Sequence, residues 1–102
     1  MTKDPQTAAT VKEILDLIKN ISPGKSVELR VPPYGAIQCV AGSNHRRGTP
    51  PNTVEMSGQT LIRLINELAL WGTLCESGEI RASGLLSDLS KVFAQAAVQY
   101  RA

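Results

Sequence analysis

The sequence predicts an α+β fold in which an antiparallel sheet of about four strands carries its helices on one face. Apolar residues recur at helical spacing near both ends of the chain and over residues 57–72, whereas shorter segments alternate between apolar and polar residues. Each alternating segment has one apolar face, which is typical of an antiparallel sheet with one buried side. The predicted strands cluster rather than alternating regularly with helices, and this order favours α+β over a parallel α/β fold.

The first half of the chain predicts a helix followed by two strands. Aspartate favours the N-cap and proline the first helical turn, so Asp4 and Pro5 form one expected start of the first helix. Thr10 and Glu13 have the spacing of a capping box and offer a second start, one turn or more later. After a Pro-Gly turn, residues 26–31 and 34–41 alternate as two strands. The proline pair between them cannot donate ladder hydrogen bonds, so we expect a hairpin-like corner there.

The second half begins with a polar loop over residues 42–52 and a third strand over residues 53–56. A helix is predicted from Ser57 to the region of Trp71 and Gly72, because glycine suits a helix C-cap. One further helical turn precedes a fourth strand at residues 78–82, with Ile80 and Ala82 inward. A last helix follows Gly84. Its apolar stripe is predicted to comprise Leu85 or Leu86, Leu89, Val92, Phe93, Ala96 and Tyr100.

Composition indicates one globular domain over residues 1–102, with frayed ends at 1–3 and 101–102. The net charge of +2 is too small to favour a nucleic-acid partner. The chain has no apolar run of the ~20 residues that a membrane span needs, and its first ten residues do not resemble a signal peptide. Cys39 and Cys75 are far apart, which argues against a zinc site or a disulfide framework. We therefore expect a cytoplasmic protein without a metal or cofactor.

Three stretches resemble a family of small bacterial sterol carrier family proteins, distant relatives of sterol carrier protein type 2. They are RVPPYGAIQCVAG at residues 30–42, HRRGTPPN at residues 45–52 and SGEIRASG at residues 77–84. The resemblance extends over about residues 22–93. It implies a sterol-carrier-like arrangement with helices over one face of an antiparallel sheet, and an apolar cavity between these layers for an acyl chain or sterol. It supplies no catalytic residue, so we expect a protein that is not an enzyme.

The polar loop contains the candidate anion site. His45, Arg46 and Arg47 precede a glycine, and two guanidinium groups beside glycine amides suit a phosphate or carboxylate headgroup. The alternative is a solvated basic loop without a specific partner. His45 is the chain's only histidine and has no ligand-type residue at metal-binding spacing, so no metal site is predicted.

The candidate apolar pocket is formed by residues of the predicted strands and helices, which can either line a cavity or simply fill the core. These candidates are Ile37, Cys39, Met56, Leu61, Leu64, Ile65, Leu68, Trp71, Leu89 and Phe93. Cys39 lies on an apolar strand face, where an inert buried thiol is expected rather than a nucleophile.

Two kinds of function follow from these features. The first is a non-catalytic binding domain of the sterol-carrier type that holds a lipid or another apolar small molecule between helices and sheet. The second is a protein-interaction module, or an accessory domain acting in trans with an enzyme, that uses the HRRGTPP loop. A ligand-sized apolar pocket favours the first, and a tightly packed interior beside an exposed loop favours the second.

Overall fold

The computed structural model describes residues 4–42 and 52–101, and these residues form four helices and one four-stranded sheet. In chain order the elements are α1 (Pro5–Ile21), β1 (Val27–Val31), β2 (Gly35–Cys39), β3 (Asn52–Met56), α2 (Gly58–Ile65), α3 (Trp71–Ser77), β4 (Ile80–Ser83) and α4 (Ser90–Arg101). The predicted α+β class is confirmed.

The sheet is mixed, so the prediction of a purely antiparallel sheet is wrong. Its strand order is β2-β1-β3-β4, and β1 pairs with β3 in parallel while the two outer pairs are antiparallel. Val27 at the start of β1 pairs with Cys39 at the end of β2 and with Asn52 at the start of β3. The end of β2 and the start of β3 therefore flank the start of β1, and β3 must run in the same direction as β1.

Helix α1 begins where its capping residues predict. The Asp4 carboxylate accepts hydrogen bonds from the Thr7 amide at 2.9 Å and the Thr7 hydroxyl at 2.7 Å. Pro5 occupies the first helical turn, where its missing amide hydrogen is not needed. One face of the helix buries Val11, Ile14, Leu15 and Ile18.

The hydrophobic core lies between the apolar side of the sheet and the helices. Alternate residues of β1 and β3 are buried and the residues between them are half-buried, as the strand pattern predicts. Helices α1, α2 and α4 contact one another over this layer. The residues buried in the core include Val27, Leu29, Val31, Cys39, Val54, Met56, Ile80, Leu61, Ile65, Leu89 and Phe93. Their burial removes apolar surface from water and stabilises the fold.

The predicted helix over residues 57–72 is interrupted. Helix α2 ends at Ile65, and Glu67 adopts a left-handed conformation with φ of 58°. The Glu67 amide donates to the Leu64 carbonyl at 3.1 Å and the Leu68 amide to the Arg63 carbonyl at 2.8 Å. These bonds terminate the helix in the manner of a Schellman motif, although glycine is the usual residue at this position. Trp71 therefore begins α3 instead of ending α2.

Two further boundaries differ from the predictions. Val40 has a positive φ of 69°, so β2 stops at Cys39 and Ala41 is exposed. Helix α4 begins only at Ser90, and Leu85 and Leu86 are both exposed instead of joining its buried stripe. Ala82 is also exposed, because β4 is an edge strand with little cover beyond Ile80.

Candidate ligand-binding groove

Most of the predicted pocket residues fill the core. Five of them are at most 2% exposed and pack together as one buried cluster: Cys39, Met56, Leu61, Ile65 and Leu89. Ile37 is half-buried and packs against this cluster. The structure thus brings these residues together, but their apolar surfaces are already covered by one another. They stabilise the contact between the sheet and the helices. A ligand site must therefore be sought at other parts of the surface.

A surface groove lies between α4 and the segment that connects α2 to α3. Its volume is about 450 Å³, which falls within the range of small-molecule pockets. We call it the α2–α4 groove. Its lining residues are Leu64, Glu67, Ala69, Leu70, Trp71, Gly72, Ser90, Phe93, Ala94 and Ala97. Three of the predicted pocket residues, Leu64, Trp71 and Phe93, line this groove.

The floor of the α2–α4 groove is buried and its rim is open. Leu64 and Phe93 are 6% and 3% exposed, and the rings of Phe93 and Trp71 lie 5.7 Å apart at 34°. Leu70 on the rim is 74% exposed. A Cβ atom added at Gly72 would meet nothing within 4 Å, so the absence of a side chain there leaves the groove unobstructed.

Leu68 is a predicted pocket residue that lies at the surface. It is 72% exposed and does not line the α2–α4 groove. Helix α2 ends before Leu68, at the left-handed turn formed by Glu67, so Leu68 does not continue the apolar face of that helix.

One end of the α2–α4 groove carries an ion pair that the sequence did not indicate. Arg101 of α4 contacts the Glu67 carboxylate through its Nη2 atom. Its Nε atom donates to the Ala97 carbonyl at 3.3 Å. An arginine in the last turn of a helix is a common surface feature, and its partner became available only through the turn at Glu67.

A family model described as "Bacterial SCP ortholog" matches residues 3–94, and SCP denotes sterol carrier protein. The chain belongs to this bacterial sterol carrier family. The resemblance noted in the sequence is thereby confirmed. No curated protein matches the sequence.

The fold of this sterol carrier family member also has a counterpart among solved structures. A protein titled "UbiJ-SCP2 Ubiquinone synthesis protein" superposes with a TM-score of 0.56 over 100% of this chain and 98% of its own. The two sequences are 16% identical. The similarity shows a shared fold.

The thiols of this sterol-carrier-like protein are held in the protonated form. Burial raises the pKa of Cys39 to about 11. Burial, followed by the nearby Asp88 carboxylate, raises the pKa of Cys75. A thiolate nucleophile needs the opposite shift.

The remaining predicted site lies outside the described residues. His45, Arg46 and Arg47 fall between residues 42 and 52, so their assignment as an anion or headgroup site stays a prediction. Within residues 4–42 and 52–101, no group of three or more His, Cys, Asp and Glu residues is arranged to hold a metal ion. In the same two ranges, no helix has the length and apolar character needed to cross a membrane.

Proposed function

We propose that this protein is a non-catalytic carrier-type domain that binds the apolar part of a lipid or a similar small molecule in the α2–α4 groove. The observation that carries the proposal is a concave apolar surface of about 450 Å³ in a member of the sterol carrier family. Its two free cysteines, neither in a disulfide, fit action in the cytoplasm.

The ligand would bind in a surface groove and not in a cavity between the sheet and the helices. The core residues of that layer are packed together, whereas the α2–α4 groove presents Leu70 and Trp71 to a ligand without rearrangement of the core. A bound chain would gain ~0.8 kcal/mol for each buried CH₂ group. About ten buried CH₂ groups would therefore supply roughly 8 kcal/mol, which corresponds to a micromolar complex.

Trp71 offers a direct test, because it is the only tryptophan in the chain and lines the α2–α4 groove. Titration with dodecanol, a neutral single-chain amphiphile, is expected to change the Trp71 fluorescence saturably. Native mass spectrometry of the purified protein mixed with dodecanol is expected to show a complex that is heavier by the mass of the bound dodecanol. Two blank measurements would refute the proposal.

A matched pair of variants tests whether the ligand binds in the α2–α4 groove. Gly72→Leu adds a side chain into open space within the groove and is expected to weaken dodecanol binding at least tenfold. Thr73→Leu adds a similar side chain at an exposed neighbouring position that does not line the groove, and should leave the affinity unchanged. Equal effects of the two substitutions would show that binding occurs elsewhere.

One observation favours the alternative of a protein-interaction module or of an accessory domain acting in trans with an enzyme. Leu85 is fully exposed, and the amide of its neighbour Leu86 is bound by Asn52, which directly follows the HRRGTPP loop. Protein interfaces combine apolar side chains with arginines, which are enriched there. Pull-down experiments would compare the wild type with a Leu85→Ser variant and with an Arg46→Ala/Arg47→Ala variant. Unchanged partners in both variants would refute this alternative.

A further inference from the structure

The guanidinium of Arg101 is held at one end of the α2–α4 groove. Its two contacts, the Glu67 carboxylate and the Ala97 carbonyl, both belong to residues that line the groove. The Arg101 and Glu67 side chains are 51% and 53% exposed, so a ligand can reach the pair from solvent. The ion pair thus joins the two walls of the groove at a place where a ligand's polar end would emerge.

Arg101 retains hydrogen-bonding capacity after making these contacts. Guanidinium has five N–H donors, of which Nε serves Ala97 and Nη2 serves Glu67. Its other donors have no partner among residues 4–42 and 52–101. The planar guanidinium matches the two oxygens of a carboxylate better than any other side chain does. The end of the groove can therefore accept an anionic group.

The length of the groove fits a single-chain amphiphile. Its lining on α4 runs from Ser90 to Ala97, which corresponds to roughly 10 Å along the helix axis, and Arg101 lies one turn beyond. The lining is apolar here and includes Phe93, Ala94 and Ala97. A chain lying along this surface would bring its terminal polar group to Arg101.

We propose that the Arg101–Glu67 pair selects ligands with an anionic headgroup, and that a long-chain carboxylate displaces Glu67 from Arg101 when it binds. This inference depends on the proposed function, because the chain itself must occupy the α2–α4 groove. Glu67 acts as an internal competitor for the same guanidinium. Ion pairs as exposed as this one contribute little to stability, so displacing Glu67 costs little, whereas a ligand carboxylate gains a two-oxygen contact with the planar guanidinium.

The experiment compares laurate with dodecanol, which share a chain length and differ in headgroup charge, at pH 8 and low ionic strength. Trp71 fluorescence reports both affinities. The wild type is expected to bind laurate roughly tenfold more tightly than dodecanol, as one charge-assisted hydrogen-bonding contact provides. Added salt should reduce this preference because it screens the exposed guanidinium.

Two variants are expected to change the preference in opposite directions. Arg101→Gln should abolish this preference by weakening laurate binding far more than dodecanol binding. Glu67→Gln should increase laurate affinity several-fold, because the competing charge is removed. Arg101→Lys, which keeps the charge without the planar fork, should retain part of the preference. Arg63→Gln is the matched control, since Arg63 forms a similarly exposed ion pair with Glu79 away from the groove.

The possible failures are distinguishable. Equal affinity of the wild type for both probes would overturn the Arg101 proposal and still support a ligand groove. Reduced laurate affinity in Glu67→Gln, or a loss of dodecanol binding in Arg101→Gln with folding intact by urea denaturation, would also overturn it. Absence of binding for both probes would overturn the proposed function together with the inference.

Discussion

The side chain of Asn52 accepts a hydrogen bond from the main-chain amide of Leu86, with 2.9 Å between Oδ1 and the nitrogen. Its Nδ2 atom donates to the Ser26 carbonyl at 2.8 Å. Asn52 is 4% exposed. One buried amide therefore fastens the start of β3 both to the entry of β1 and to the loop after β4. An asparagine side chain can do this because it supplies a donor and an acceptor together.

Replacing Asn52 is expected to destabilise the fold substantially. Asn52→Leu leaves a buried carbonyl and a half-buried amide without their partners, and each loss costs ~1–3 kcal/mol. We expect the free energy of unfolding, measured with urea, to fall by about 2–4 kcal/mol. Gln38→Leu, at an exposed position of β2, is the control and should change it by less than ~0.5 kcal/mol. Similar values for both variants would contradict a role for Asn52 as a fastening residue.

Two glycines should respond to alanine in opposite directions. Gly84 has a φ of +108°, and a Cβ atom there would lie 2.2 Å from Asn52 Oδ1. Gly84→Ala should therefore reduce the free energy of unfolding by at least ~2 kcal/mol. Gly72→Ala, within α3 and facing open space, should increase it by roughly 0.5–1 kcal/mol. Chemical denaturation of both variants checks the signs, and a stable Gly84→Ala protein would disprove the close approach.

Local signals in the sequence predicted the parts of the fold that depend on neighbouring residues. The start of α1 follows from Asp4 and Pro5, which satisfy or remove backbone donors within one turn. The alternation of β1 likewise matches its burial, since successive side chains must point to opposite faces of a sheet. Both features are decided over a few residues and do not depend on the rest of the chain.

The order and direction of the strands depend on distant pairings. The alternation in β3 specifies which residues are buried. The same alternation is expected whether the neighbouring strand is parallel or antiparallel. The pairing of Val27 with both Cys39 and Asn52 shows that β3 runs parallel to β1. A single sequence does not reveal pairings between residues so far apart.

The candidate site was only partly predictable for a similar reason. The spacing of apolar residues pointed to Leu64 and Phe93, because the groove is lined by the same apolar residue types that fill the core. The break after Ile65 was missed, because Glu67 is not a residue type that indicates a left-handed turn. Without that break, Leu68 was assigned to the core and the pairing of Glu67 with Arg101 was not visible.

The stability contributed by Asp88 is expected to depend on pH. Its Oδ1 atom accepts a hydrogen bond from the Ser90 amide at 2.9 Å, and the bonds to Ser90 lower the pKa of Asp88. Since the folded pKa is below the unfolded one, the contribution is present above the unfolded pKa and is lost as the pH falls through the lowered folded value. Asp88→Ala should thus lower the free energy of unfolding at pH 7 by up to ~1 kcal/mol, a limit set by solvent screening.

Urea titrations of Asp88→Ala and the wild type across acidic pH measure this effect. The difference between the two proteins should shrink below the ordinary range of aspartate pKa values. Glu76→Ala serves as the control, because that carboxylate lies exposed on α3. A difference for Asp88→Ala that stays constant down to the most acidic pH would contradict the role of the ionised carboxylate.

The two thiols should differ sharply in reactivity. Cys39 is fully buried, and its pKa is raised to about 11, so both access and thiolate content limit its alkylation. Cys75 is half-buried with a raised pKa. At pH 8 we expect iodoacetamide to modify Cys75 slowly in the native protein, and Cys39 at least ~100-fold more slowly than an unfolded cysteine. Mass spectrometry should find one label per native chain, none in Cys75→Ser, and two in the urea-unfolded wild type. Rapid native labelling of Cys39 would show that the sheet–helix interface opens far more readily than its packing implies.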